Sequence, residues 1–225
     1  MSGNAEILIS SMQRLVALHL WELGAVKINL KTPFKLVSGN FSPIYVNCRR
    51  VISSVVFTDL FSAAARLLCA ARQIQYDILA GGETAGIPLA AFLSRSFGVP
   101  MVYVRKEAKE HGIASKVEGG DVRGRRVLLV EDLITDAGSK LVFANAIRKD
   151  GGKVKDTIVI FDRLQGGEKK LQEEGITLHS ITNMNIALSE ASAIGWITSG
   201  QLSGIKEYLS SPREWHQKKS LEFLE

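Results

Sequence analysis

The chain has few of the residues that mark several common protein classes. Only Cys48 and Cys69 are cysteines among 225 residues, which excludes a disulfide framework or zinc knuckle and is typical of a reducing cytoplasm. No segment approaches the roughly 18 uncharged apolar residues of a membrane span. The N-terminus carries Glu6 and no basic start, unlike a signal peptide. We therefore expect a cytoplasmic protein without a membrane partner.

Basic residues exceed acidic ones, but they are not concentrated in one run. The formal net charge is +5 and the isoelectric point is near 9.2. No five or six basic residues occur consecutively, so the charge favours small polyanions and we expect no nucleic acid partner. Apolar residues make up 46% of the chain, enough for a core, and the length suits one α/β domain.

Strand and helix patterns alternate along most of the chain. An apolar repeat of helical spacing covers residues 5–23 and ends before Gly24. Short runs at 26–30, 34–37 and 44–47 predict a small antiparallel unit. Further strands are predicted at 77–80, 100–104, 127–130, 154–161 and 177–182. Helices are predicted at 58–72 with Thr58 as a cap, at 87–97, 138–149 and 166–174, and near 184–192, 201–209 and 212–222. This alternation predicts a parallel sheet with crossover helices on both faces.

Residues 126–139 are the most informative segment. The apolar run 127–130 predicts a buried strand, and Glu131 and Asp132 follow it directly. The small residues at 135–139 then lead into a helix, whose free N–H groups and dipole favour a phosphate. Acids at the carboxyl end of a strand lie where open α/β sheets bind ligands. The segment predicts a sugar phosphate site; the alternative is an ordinary strand–loop–helix connection with a solvated acidic pair.

The same segment resembles the phosphoribosyl pyrophosphate motif of type I phosphoribosyltransferases: four apolar residues, two acids, two variable residues, Thr and a small-residue turn. The resemblance implies an α/β fold, a type I phosphoribosyltransferase-like parallel sheet flanked by helices, with a small N-terminal hood. It implies one domain over 1–225, with the hood formed by about 1–50 plus the C-terminal segment. It further implies that phosphoribosyl pyrophosphate is bound by Glu131, Asp132, Leu133, Ile134, Thr135, Asp136, Ala137, Gly138 and Ser139, with Asp132 also catalytic.

Residues 105–120 form a long polar segment between two predicted strands. Such a segment is either a solvated charge run or a mobile lid. It resembles the catalytic loop of orotate phosphoribosyltransferases, Arg-Lys-x-x-Lys-x-His-Gly. The resemblance implies that Arg105, Lys106, Lys109 and His111 bind the pyrophosphate, with Lys109 and His111 catalytic. It also implies a homodimer in which loop residues are shared between subunits.

Residues 34–47 resemble the orotate-binding hood of the same enzymes; the alternative is a structural hairpin. The resemblance implies that Tyr45, Thr135 and Arg163 bind orotate. Without the resemblance, Arg163 would be expected in a surface ion pair with Asp162 or Glu168. Two positions depart from the family, because Val37 and Ala85 stand where lysines occur, and either Lys35 or Arg49 is a candidate to compensate. His19, His179 and His216 lack metal-ligand spacing, so we assign them no metal role.

The resemblance implies transfer of ribose 5-phosphate from phosphoribosyl pyrophosphate to orotate, in de novo pyrimidine biosynthesis. The products would be orotidine 5′-phosphate and pyrophosphate. Mg²⁺ would be the cofactor, held mainly by the substrate and not by a dedicated protein site. Two alternatives remain: a phosphoribosyltransferase acting on a purine or uracil, and a regulator that senses phosphoribosyl pyrophosphate and binds nucleic acid.

Overall fold

The chain begins with one helix and two short antiparallel strand pairs. The structure is a computed structural model that describes residues 3–36, 38–107 and 115–224. Helix α1 (Gly3–Glu22) ends before Gly24, whose φ of +63° favours glycine. The strands are β1 (Val26–Ile28), β2 (Phe34–Lys35), β3 (Phe41–Ser42) and β4 (Ile44–Val46). Strand β1 pairs with β4 and β2 with β3, which confirms the predicted antiparallel unit with shorter strands.

The rest of the chain alternates strands and helices around one sheet. After a 3₁₀ turn (Cys48–Ser53), the elements are α2 (Val55–Ala71), β5 (Ile78–Gly82), α3 (Gly86–Phe97), β6 (Met101–Val104), β7 (Val117–Glu118), β8 (Arg126–Ile134), α4 (Gly138–Lys149), β9 (Lys153–Asp162), α5 (Gly167–Glu173), β10 (Thr177–Asn183), α6 (Met184–Ala193), α7 (Ser199–Ser210) and α8 (Pro212–Lys218). The strand order in the sheet is β10-β9-β8-β5-β6-β7. All neighbours are parallel except β7, a short antiparallel strand that the sequence pattern did not predict.

Helices cover both faces of the sheet, as predicted. Alternate residues of β8 point in opposite directions: Leu128 and Val130 pack with α1, α2, α3 and α6, while Val127 and Leu129 pack with α4 and α5. Among the described residues, no helix combines the length and apolar character that crossing a bilayer requires.

Two local predictions were wrong. Helix α2 begins at Val55 and is capped by Ser54, whose hydroxyl accepts a hydrogen bond from the Phe57 N–H at 3.2 Å. Thr58 instead lies in the first turn and donates to the Val55 carbonyl. Strand β8 extends to Ile134, so Glu131 and Asp132 lie within the strand and not after it. The extension follows from pairing with the long strand β9, since Glu131 aligns with Val159 and Ile134 with Asp162.

The C-terminal segment is tied to the strand pair β2–β3. His216 is fully buried, and its Nε2 accepts a hydrogen bond from the Phe41 N–H at 2.9 Å. The other ring nitrogen, Nδ1, therefore carries the proton and donates to the Pro212 carbonyl at 2.7 Å. Asn40 exchanges two further hydrogen bonds with the backbone of Leu224, at 2.8 and 2.7 Å.

Glycines at the end of β5 and the start of α3 allow close packing against β8. A Cβ on Gly81 would lie 2.5 Å from the Gly86 carbonyl oxygen. A Cβ on either Gly82 or Gly86 would lie 2.4 Å from Glu131 Oε1, and the one on Gly82 would also meet the Phe143 ring. Any other residue at these positions would displace the Glu131 carboxylate or the backbone beside it.

The substitution Gly82→Ala tests this packing. The added methyl group overlaps Glu131 and Phe143, so we expect a loss of about 1–3 kcal/mol in the free energy of unfolding. In a chain of this size that lowers the melting temperature by roughly 2–10 °C. The matched control is Gly200→Ala in α7, where, among the described residues, the new Cβ would meet only Thr198 Oγ1, at 3.9 Å, outside the backbone of its own helix. Equal melting temperatures for the two variants would contradict the packing argument.

Candidate active site

The carboxyl ends of the parallel strands β5, β6, β8 and β9 meet at one edge of the sheet. A cleft of about 380 Å³ lies there. Its wall contains residues from the hood strand β4, the loop after β5, the loop after β6, strand β8 and the start of α4: Tyr45, Val46, Asn47, Arg49, Glu83, Thr84, Ala85, Lys106, Glu131, Asp132, Leu133, Ser139 and Lys140. The cleft thus brings together Tyr45, Lys106, both acids, Leu133 and Ser139 from the predicted site.

The turn between β8 and α4 provides an anion-binding geometry. Ala137 adopts a left-handed conformation with φ of +68°, and α4 begins at Gly138 without a side-chain cap. The Gly138 N–H donates to Asp136 Oδ1 at 3.3 Å, and the start of a helix without a side-chain cap on its N-terminal residue favours a phosphate. The side chains of Ile134 and Ala137 are buried in the core, so only their backbones are available to a ligand. Thr135 is half-buried, and Asp136 and Gly138 are exposed on the same turn.

A buried ion pair lies beside the acids. Lys140 Nζ is 3.1 Å from Glu131 Oε2, and the two residues are only 6% and 5% exposed. Lys140 also donates to the Ser139 hydroxyl at 3.2 Å. Burial raises the pKa of Glu131, and the charge of Lys140 opposes that rise. Glu131 Oε1 is buried and has no hydrogen-bond partner among the described residues.

Asp132 presents its carboxylate at the cleft wall. One of its oxygens, Oδ1, accepts a hydrogen bond from the Leu133 N–H at 2.8 Å. Within the described ranges, no three His, Cys, Asp or Glu side chains are grouped to hold a metal ion.

Arg163 follows β9 and is directed away from the surface. Its N–H donates to the Ile134 carbonyl at 3.0 Å, which places it next to the turn between β8 and α4. The guanidinium is largely buried, and burial lowers its pKa, opposed by Tyr208, Cys48 and Tyr45. In the described part of the chain its Nε has no partner, and neither Asp162 nor Glu168 forms an ion pair with it. The expected surface pair is absent there, and Asp162 accepts a hydrogen bond from the Leu164 N–H instead.

The cationic segment after β6 is tied to the loop after β5. This loop contains a cis peptide bond between Glu83 and Thr84, and Glu83 Oε2 accepts a hydrogen bond from the Lys106 N–H at 2.8 Å. Arg105 lies beside Glu118 with a nitrogen–oxygen distance of 3.8 Å. Lys109, His111 and Val37 lie outside the described residues, so their predicted roles stay predictions.

Lys140 is the main site residue that the sequence analysis missed. A signal was present, because Lys140 lies in the first turn of α4, where a cation opposes the helix dipole. A lysine in that position indicates a nearby acid, and Glu131 is that acid. Glu83, Asn47 and Arg49 were also not predicted as part of the cleft wall. They come from loops whose position depends on contacts distant in sequence.

Comparison with known proteins identifies the same architecture. The phosphoribosyl transferase domain family matches residues 60–187. The orotate phosphoribosyltransferase of Cereibacter sphaeroides is 44% identical over 206 residues, which cover 90% of this chain and 89% of that protein.

Solved structures of related proteins have the same fold as this chain. Orotate phosphoribosyltransferase from Aeropyrum pernix superimposes with a TM-score of 0.69 at 29% identity, covering 81% of this chain and 99% of that chain. UMP synthase of Leishmania donovani gives 0.77 at 26% identity, covering 88% of this chain and 42% of that chain, so this chain spans less than half of that protein. The predicted type I phosphoribosyltransferase fold is confirmed, and the chain belongs to the orotate phosphoribosyltransferase family.

Proposed function

We propose that this protein transfers ribose 5-phosphate from phosphoribosyl pyrophosphate to orotate, giving orotidine 5′-phosphate and pyrophosphate in pyrimidine biosynthesis. The observation that supports it most is the cleft itself, whose wall is formed jointly by Tyr45 of the hood, the two acids of β8 and the start of α4. A sugar phosphate requires acceptors for its hydroxyls and an anion site, and a flat base requires an aromatic wall.

In this proposal the acids hold the ribose and the turn holds its phosphate. Breaking the bond at C1 of ribose builds positive charge on the sugar. Glu131 and Asp132 accept hydrogen bonds from the ribose hydroxyls, and their negative charge stabilises that positive charge. The N–H groups of residues 135–139 bind the 5′-phosphate at the start of α4, with the Ser139 hydroxyl beside them.

The leaving pyrophosphate carries negative charge, which the cations stabilise. Lys106 lies in the cleft wall, and we propose that Arg105, Lys109 and His111 join it around the pyrophosphate. Mg²⁺ fits an acidic cleft of this kind, because it binds through one or two carboxylates plus substrate phosphates. When bound, it would neutralise pyrophosphate charge, with Asp132 as the available carboxylate.

We propose that Lys140 supplies the positive charge that some relatives have in a lysine at position 85. Ala85 and Lys140 both line the cleft, so Lys140 supplies a cation to the wall where some relatives carry one on the loop after β5. Arg49 lines the same cleft and adds a second positive charge. Lys140 also opposes the rise in the pKa of Glu131 that burial causes.

Arg163 is the proposed orotate anchor. A guanidinium forms two parallel hydrogen bonds with a planar carboxylate, and orotate carries a carboxylate that uracil lacks. The buried Nε without a partner supports this role, since orotate would supply the missing acceptor. Tyr45, 39% exposed, packs against Phe34 and presents its ring to the cleft.

We also propose a homodimer in the cytoplasm, with Arg105, Lys109 and His111 contributing to the neighbouring subunit's site. Val55 and Val56 at the start of α2 are 75% and 64% exposed, which supports an apolar contact between subunits. The two cysteines are free thiols, as a reducing compartment requires.

The reaction is tested by mixing the purified protein with Mg²⁺, phosphoribosyl pyrophosphate and orotate. We expect orotate absorbance to fall while an equal amount of pyrophosphate is released, and no reaction when uracil replaces orotate. Turnover of uracil or of a purine without turnover of orotate would contradict the assignment. A protein inactive with every base would contradict it as well.

The substitution Arg163→Gln tests the carboxylate anchor. Losing one partner of a buried charged pair costs about 2–5 kcal/mol, so we expect the KM for orotate to rise roughly 30-fold or more. The KM for phosphoribosyl pyrophosphate should change less than about twofold. Arg95→Gln, at an exposed position of α3, is the control and should leave both constants unchanged. Equal rises in both constants would argue against a specific role.

The substitution Lys140→Met tests the charge state of Glu131. Without the lysine, the pKa of Glu131 rises further, because the charge that opposed the effect of burial is gone. Glu131 then becomes protonated at a higher pH, so the acidic limb of kcat/KM for phosphoribosyl pyrophosphate moves upward in pH. The loss at the acidic end should be roughly tenfold or more. Lys149→Met, an exposed lysine of the same helix, should keep the wild-type profile. An unchanged profile for Lys140→Met would disprove the coupling.

A further inference from the structure

A second cleft lies at the opposite edge of the sheet from the candidate active site. It has a volume of about 470 Å³ and is formed by the amino ends of β8 and β9 and by the segment that follows α2. That volume lies within the range of small-molecule sites, roughly 300–1,000 Å³. None of its wall residues belongs to the active-site cleft.

Two uncompensated cations face this cleft. Lys153 and Lys155 are exposed while Val154 between them is buried, so both lysines project from the same side of β9. Residues two apart on a strand are separated by about 7 Å, a spacing that one phosphate group bridges. In the described part of the chain neither lysine has an ion-pair partner.

The remaining charges of the cleft are already paired. Arg72 pairs with Glu6 at 2.8 Å, Arg126 binds Asp77, and Asp156 accepts a hydrogen bond from His179 at 2.8 Å. Arg126 is the register neighbour of Lys153, and its pairing with Asp77 leaves Lys153 and Lys155 as the cations of this wall without an ion-pair partner among the described residues. The two lysines repel each other, and an anion between them would remove that repulsion.

The rest of the wall has apolar and amide groups that could contact an organic group attached to the anion. Ile74 and Val127 provide an apolar floor, 8% and 2% exposed. Gln73 and Gln75 lie beside them, with Gln75 held by hydrogen bonds to the Gln73 carbonyl at 3.3 Å and from Arg126 at 3.2 Å. Side-chain amides have both donors and acceptors, which complement the edge of a nucleobase.

We propose that this cleft binds a nucleoside 5′-phosphate. Its phosphate lies between Lys153 and Lys155, and its base lies over Ile74 and Val127 within reach of the glutamine amides. A small nucleotide is favoured over a nucleic acid chain, because the cations converge on one cavity and do not extend along a groove. The inference is independent of the proposed reaction, since it uses no residue of the active site.

Binding is tested by calorimetric titration of adenosine 5′-monophosphate, uridine 5′-monophosphate and inorganic phosphate into the full chain. We expect at least one nucleotide to bind to this cleft with one equivalent per chain. The double variant K153Q/K155Q should weaken that binding by about tenfold or more. The control K169Q/K170Q, two exposed lysines of α5, should bind as the wild type does.

The active-site variants Arg163→Gln and Lys140→Met distinguish binding at the second cleft from binding at the active site. Both variants should retain nucleotide binding. Loss in these variants with retention in K153Q/K155Q would place the nucleotide in the active site and overturn the proposal. No binding at about 1 mM ligand would overturn it too. So would inorganic phosphate binding as tightly as the nucleotides, or a single-stranded oligonucleotide binding more tightly with the same dependence on the two lysines.

Discussion

Lys140 and Glu131 bring opposite charges together where almost no water reaches them. Each charge is tolerated only because of the other, and removing one partner of such a pair typically costs about 3–5 kcal/mol. The lysine lies in the first turn of α4 and the glutamate in β8, so the pair connects the start of α4 to the sheet. The relative position of the acids and the β8–α4 turn therefore depends on this contact.

The position of Glu131 also restricts which residues can occupy β5 and the start of α3. Glu131 fits between β8 and α3 only because Gly82 and Gly86 have no side chains, and Gly81 allows the backbone of α3 to approach β5. Strand β8 pairs with β5 as far as Val130 and with β9 as far as Ile134, so β9 continues to hold the backbone at the two acids. A rigid position keeps the carboxylates oriented before substrate arrives, so little ordering is required when it binds.

Local patterns were sufficient for much of the fold, and long-range contacts explain the rest. The helix 138–149 and the order of the strands follow from periodicity and turn residues that lie close together in sequence. The length of β8 depends on pairing with β9, and that pairing is not visible in residues 126–139 alone. Lys140 was missed because its role depends on a partner nine residues away across a turn. Arg163 was located through family resemblance, since only the folded chain shows that its guanidinium is buried.

The hydrogen bonds of Asn40 with Leu224 and of Phe41 with His216 join parts of the chain that are 184 and 175 residues apart. During synthesis at about 5–20 residues per second, β2 and β3 would wait on the order of 10–40 s for these partners. The large sheet has all its strands before residue 184, so it can assemble first. The β2–β3 pair, whose Phe34 packs against Tyr45 of the cleft wall, would then be among the last parts of the nascent protein to acquire their native contacts.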